Sequence, residues 1–526
     1  MKKSHKKIAI LIMTVMVSSS ILIACKKENK ISDTTNINNT GFAGYPIKTD
    51  KSLKIWSDQN KLVQGITSQD QSPFHIGLDK NTGVKLQWSW PAAGADAKQA
   101  LNLLIASNDL PDIIFTGWGG LAGGPDSYIN DKVIISLNDT LKKYAPNLTK
   151  YLASNQAVDK QVKTDSGNYY VFPFVRGDQQ LTVFRGPAVR KDWLEELSIK
   201  VPETISDWDS MLRTLKDKKG AVMSYPDGWA NEIFVGAYGV PRTFYQENGK
   251  VKFGPAEKGY KDFLVQMNKW YKDGVLDKDF TTIDANGLKT KVLNDKVGAG
   301  ITSGGTVADW NANLAKVSPT KVFIGVKNPS LNKGEKVKFS QMDNLYTGGG
   351  AAITTACKDV ELAARVLDWG YSEQGRRYWN WGTEGESYTM VNGKPQLTDK
   401  VLKEPTGIPN GLDKYTGMQW SGASISEAGW YEQKVGKDVM NAISTWADTD
   451  MVKNMLPPIT PTTDESTAMN KYQTALDTYV KEMYFKFVIG SESLDKFDDY
   501  VAQLKKVGLD ELIKMKQVQL DRYNKR

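Results

Sequence analysis

"VKLQWSWP" (84–91) followed by "DAKQALNLLIASNDLPDIIFTGW" (96–118) decides the fold class. The first stretch alternates polar and apolar residues, with Trp88 and Trp90 facing one way, as a strand does. The second opens with apolar residues at helical spacing, breaks at "SNDLP" and resumes as the buried run "DIIF". Upstream, "SLKIWSDQN" (52–60) is a short strand running into a polar loop. This β-α-β order implies a parallel sheet and an α/β protein. "TGWGGLAGG" (116–124) then forms a loop at the carboxyl end of a strand, where open α/β sheets bind ligands.

Working outward, "NYYVFPFVRGDQQLTVFRGPAVRKDWLEELSI" (168–199) holds two extended runs around "VRGDQQ" and then a helix. Thr204 or Ser206 starts the next helix, with acids in its first turn. "GYKDFLVQMNKWYKDGVL" (259–276) is an amphipathic helix closed by Gly274. "KVGAGITSGGTVADW" (296–310) is a strand, a Gly-Thr loop and Trp310. "LDKFDDYVAQLKKVGLDELIKMKQVQLDRY" (494–523) reads as two helices separated at Gly508. No repeat of solenoid period occurs.

The amino end has a different character. "MKKSHKK" is basic and "IAILIMTVMVSSSILIA" is apolar, the layout of an export signal, and shorter than the ~20 residues of a spanning helix. It ends Leu22-Ile23-Ala24-Cys25, which resembles the bacterial lipobox. That resemblance implies a signal peptide over 1–24 and a diacylglycerol on Cys25. Buried lipid gives about 0.8 kcal/mol of membrane affinity per CH₂, and Lys26, Lys27 and Lys30 add attraction to anionic lipid. Residues 25–50 are polar and read as a flexible tether.

Composition narrows the function. The formal net charge is +8, and removing the four leader lysines leaves 64 basic against 60 acidic residues. A nucleic-acid binder would show a concentrated basic stripe, so that class is set aside. Cys357 has no second mature cysteine to pair with, so a large core rather than a disulfide framework must stabilise the fold. His75 is the one histidine beyond the leader, which argues against Ser–His–Asp catalysis, Cys–His catalysis and multi-His metal sites. It is expected in a loop or at the surface. "GAGITSG" fails the dinucleotide fingerprint, and no phosphate-binding or nucleophile-elbow motif is present. "LDKNTG" (78–83) lacks a full calcium-loop register and is read as a turn. No metal or organic cofactor is expected. The excess is aromatic: 15 Trp and 22 Tyr.

"LNLLIASNDLPDII", "VRKDWLEELSIKVPETISDWDSML", "NGKVKFGPAEKGYKDFLVQMNKWYKDGVLDKDF", "WGTEGESYT" and "KFVIGSESLDKFDDYVAQLKKVGLDELIKMKQVQLDRY" occur in this order over most of residues 52–523. In them the chain resembles extracellular solute-binding proteins of bacterial ABC importers, the large lipoprotein group of Gram-positive sugar-uptake systems. The resemblance implies a two-lobe periplasmic-binding-protein-like fold of type II. Each lobe would be a mixed, mostly parallel sheet flanked by helices, with crossing hinge strands. Lobe 1 would take about 51–177 and 350–390, and lobe 2 about 178–349 with much of the carboxyl-terminal part. It also implies a monomer, lipid-anchored on the extracellular face, that captures an oligosaccharide and delivers it to a permease.

A sugar site uses aromatic faces for pyranose C–H surfaces and polar side chains for hydroxyls. Trp118 is flanked by glycines and is expected to contact ligand. By resemblance Trp56 and Asp58 face the cleft, and Arg176 and Asp178 lie where the chain crosses between lobes. Trp229 in "SYPDGWANE", Trp310 after "SGGTVAD" and Trp420 in "GMQWSGAS" are further ligand candidates. Trp193, Trp208, Trp270 and Trp369 lie on apolar helical faces and are expected in the core. Glu384 and Glu386 could be taken for a glycosidase pair. By resemblance their loop is structural and near ligand, with Glu386 the contact. A surface polysaccharide lyase or glycosidase is the rival reading, and a peptide or polyamine receptor on the same fold is another.

Overall fold

The computed structural model describes residues 42–59, 65–92, 94–226, 233–417 and 422–526. Cys25, Trp229 and Trp420 lie outside them. The described residues form one compact body. Among the described residues fourteen strands occur in chain order: β1 (Ser52–Ser57), β2 (Lys85–Ser89), β3 (Ile113–Thr116), β4 (Phe172–Arg176), β5 (Arg185–Arg190), β6 (Val222–Met223), β7 (Phe244–Glu247), β8 (Lys250–Phe253), β9 (Val297–Ser303), β10 (Phe323–Gly325), β11 (Tyr346–Ile353), β12 (Tyr388–Val391), β13 (Lys394–Leu397) and β14 (Ile425–Ser426). β7/β8 and β12/β13 are hairpins.

The β-α-β unit forms as its pattern predicts. Asp96 caps the helix Ala97–Ser107 by accepting from Gln99 N at 2.7 Å, and Asn108 ends it in the left-handed region. β3 then enters the middle of a six-stranded sheet ordered β14-β4-β11-β3-β1-β2. β1 pairs in parallel with β2 and β3, β14 in parallel with β4, and β11 opposes both β3 and β4. Five of the six strands therefore point the same way, and their carboxyl ends share one edge.

A second sheet is ordered β10-β5-β9-β6. β5 is antiparallel to both neighbours, and β6 is parallel to β9. Two of its three pairings are antiparallel, because β5 alone opposes the other three strands of this mixed sheet. The cause is the route of the chain: β5 arrives directly from β4, so it runs against the strands whose carboxyl ends point back toward the first sheet. The first sheet also recruits β14, well past the 350–390 segment anticipated for it.

Two cores form. Trp193, Trp208, Trp270 and Trp369 are buried, as their spacing predicts. Phe234 meets Trp208 and Trp270 edge-on at 5.0 and 5.4 Å. Thr204 caps the helix Ile205–Lys219 in a reciprocal box with Asp207. A long helix, Thr463–Ile489, is capped in the same way by Thr462 and Glu465. No helix among the described residues is long and apolar enough to cross a membrane. The Trp446 ring lies on β5 so closely that a Cβ at Gly186 would sit 2.2 Å from it, while its indole N–H donates to Pro187 O at 3.1 Å. Gly186→Ala is therefore expected to lower stability by about 1–3 kcal/mol through overpacking. Chemical denaturation measures this, and an unchanged midpoint would show that the ring yields freely.

Candidate functional site

Three connections join the sheets: β4 to β5, β10 to β11, and β14 to the helix Ala428–Val435. The last packs beside the second sheet, against the helix Gly304–Ala315. They are bonded side by side. Gln341 Oε1 accepts from Phe184 N (2.8 Å) and Arg185 N (3.1 Å). Asp343 N donates to Thr182 O at 2.9 Å and Arg176 N to Leu345 O at 2.9 Å. The Arg176 guanidinium pairs with the Asp343 carboxylate. Gly177 N donates to Ser426 O at 2.9 Å, and Ala428 N donates to Asp178 Oδ2 at 2.6 Å. Arg176 and Asp178 thus hold neighbouring connections together.

Against these connections lies a cavity of about 460 Å³, within the roughly 300–1,000 Å³ of small-ligand sites. Its walls come from both halves. Gln161 belongs to a helix over the first sheet, Gln179, Asp343 and Asn344 to the connections, and Gln246 to β7, with Tyr523 and Asn524 at the end of the helix Leu509–Lys525. Met342, Leu345 and Met455 supply apolar surface. Gln161 accepts from Tyr346 N at 3.1 Å, and Gln246 donates to Lys453 O at 2.6 Å. The side-chain amides of Gln179, Asn344 and Asn524 have no partner among the described residues.

An ionic cluster adjoins the cavity. The Asp165 side chain, 3% exposed, takes both Arg522 (2.7 Å) and Arg526, and Arg522 also pairs with Glu465 at 2.5 Å. These pairs tie the last helix to the loop before β4. An uncompensated charge here would cost several kcal/mol.

The singled-out residues fall unevenly. Trp118 is 0% exposed, its indole donating to Ile114 O at 3.3 Å and its ring edge-on to Tyr128 at 5.6 Å. This corrects the expectation that its glycines keep it out of the core. Those glycines instead allow close approach: a Cβ at Gly119 would lie 2.9 Å from the Cα of Gly348 on β11. Trp310 is 1% exposed and packs on Phe323 at 5.2 Å, a second correction, because the helix Gly304–Ala315 turns it inward. Trp56 is 6% exposed. Asp58 sits at the carboxyl edge of the first sheet, accepting from the Thr116 hydroxyl at 2.8 Å. Burial pushes its carboxyl above the usual range, offset in part by that bond and by Gly117 N–H. Glu386 lies beside the β12/β13 hairpin, 3.5 Å from Lys400, and does not line the cavity. His75 is buried in the helix Pro73–Thr82, against Trp88 and Trp90, rather than in a loop or at the surface. "LDKNTG" is the end of that helix rather than a free turn.

The cavity's amides escaped sequence reading because they come from separate segments with no common spacing. The one local signal was the crossing at "VRGDQQ", which contains Gln179.

A family model described as "bacterial extracellular solute-binding protein" matches residues 64–377, more than half of the chain. The fructooligosaccharide ABC transporter substrate-binding protein FusA of Streptococcus pneumoniae serotype 4 is 24% identical, over 99% of this chain and 98% of its own. The lipoprotein LipO of Bacillus subtilis is 22% identical, over 86% and 89%. The crystal structure of the alginate-binding protein AlgQ2 without calcium ion superposes with a TM-score of 0.73 at 26% identity, covering 90% of this chain and 99% of AlgQ2. FusA and AlgQ2 are described as binding proteins, and LipO as a lipoprotein.

Trp118→Ala is expected to cost about 3–5 kcal/mol of stability, as a large-to-small change in a core does. Thermal and chemical melts read the loss. A variant that melts like wild type would return the ring to the surface.

Proposed function

We propose that this chain, which belongs to the bacterial extracellular solute-binding protein family, captures an oligosaccharide between its two halves and passes it to the membrane subunits of an ABC importer. The observation that carries the reading is the cavity against the connections, walled from both halves by amide, hydroxyl and apolar groups. Side-chain amides supply both donors and acceptors, which is what a ring of alternating hydroxyls needs. A ligand bridging both halves stabilises the closed form only through contacts that the open form lacks. Residues about 51–177 and 346–426 act as one lobe, and 178–325 with the segment from 428 onward as the other.

Gln161, Gln179, Asn344 and Asn524 are the proposed hydroxyl contacts. Asp58, at the carboxyl end of β1, and Trp229 and Trp420, which lie outside the described residues, are proposed as further ligand contacts. Arg176 and Asp178 act by holding the connections in place. The protein works as a monomer on the outer face of the membrane. The basic-apolar leader, the residues Leu22-Ile23-Ala24-Cys25 and the likeness to a lipoprotein support an anchor on Cys25.

Calorimetric titration with oligosaccharides tests the binding reading. The double variant Gln179→Ala/Asn344→Ala should bind roughly tenfold more weakly, since each hydrogen bond contributes about 0.5–1.5 kcal/mol. Its melt should stay near wild type, because both side chains lack protein partners. Unchanged affinity would move the ligand elsewhere. Cys25→Ser should leave the protein unlipidated and recovered in the medium or unprocessed. Full retention of processed protein on membranes would contradict the anchor.

A further inference from the structure

We infer that the cavity selects uncharged oligosaccharides and rejects those that carry uronic acids, an inference that rests on the sugar-binding reading above. None of the described lining residues is a lysine, arginine or histidine. The one charged side chain among them is an acid, Asp343, and its carboxylate already faces Arg176. The two arginines of the adjoining ionic cluster are also engaged. Arg522 is held by Asp165 and Glu465, and Arg526 by Asp165 and by the carbonyls of Lys160 and Lys163. Lys160 is turned onto the Tyr523 ring at 4.8 Å, donates to Asn524 O at 3.4 Å and does not line the cavity.

A uronate entering such a space gives up hydration of its carboxylate and meets no lysine, arginine or histidine among the described lining residues in exchange. Burying an ion without a counter-ion is strongly unfavourable. A neutral sugar presents only hydroxyl and ether oxygens, which the amides of Gln179, Asn344 and Asn524 satisfy in either polarity. Discrimination then comes from a missing partner rather than from an added contact to the preferred ligand, a common route to specificity.

The test uses the full chain purified in detergent, by thermal melt and calorimetric titration. The probes are kestose, raffinose and maltotriose as neutral trisaccharides, with trigalacturonate and trimannuronate as acidic ones. At least one neutral trisaccharide should raise the melting temperature, and both uronates should bind at least about tenfold more weakly than it. Asn344→Lys should then improve uronate affinity at least about tenfold. If that variant melts early, Gln179→Lys, at an exposed site, takes its place. A uronate that binds as well as or better than every neutral probe overturns the charge inference and leaves sugar binding standing. No response to any of the five overturns the sugar reading itself, and this inference with it. A lysine variant that folds, binds the neutral sugar and gains nothing for uronate shows that the sugar lies away from these amides, which also overturns it.

Discussion

The side-chain amide of Gln341 accepts from two consecutive backbone N–H groups, those of Phe184 and Arg185, and so fastens one connection between the sheets to the next. Phe184 O in turn accepts from Gly304 N at 3.0 Å, where β9 gives way to its following helix. Much of the architecture depends on this join. β5 can leave the first sheet and begin the second only if the segment before it is held in register against the returning chain. With Arg176 against Asp343 and Asp178 against Ala428 N, all three connections become one bonded ribbon. Bending can then be confined to a few residues while the sheets on either side move as bodies.

The strand directions follow from the same join. Five strands of the first sheet end at the edge from which β4 crosses, and β6, β9 and β10 point back toward it. Loops at carboxyl ends from both sheets are thus directed at a shared space, and side chains from distant parts of the chain meet there. The ionic cluster around Asp165 closes one flank. It commits Arg522 and Arg526 to structural pairs, and the described lining of the adjoining cavity holds no basic side chain.

Much of this was legible in the sequence, for reasons that can be named. The β-α-β unit at 84–118 declared itself through two periodicities and a clean break at "SNDLP". Trp208 and Trp270 were recognisable as core because they recur on apolar helical faces. Trp118 and Trp310 differ from their expected place because glycine beside a tryptophan does not by itself mean exposure. Glycine equally permits close backbone approach, and at Gly119 and Gly348 that is its use. β14 has two residues, too few to carry a pattern, so its place in the first sheet depends on the tertiary fold. The reversed sense of β5 came from chain routing, which no local signal encodes. The cavity lining was invisible because isolated Gln and Asn residues look like ordinary surface until the fold collects them.

Ligand is expected to draw the two halves together about the bonded connections. The direct measurement is a distance between spin labels, one on the exposed face of each half, at Lys98 and Lys218, with and without a saturating neutral oligosaccharide whose binding has been established by calorimetry. Saturation should give a shorter and narrower distance distribution. A distribution unchanged by a sugar that fills the site would contradict it.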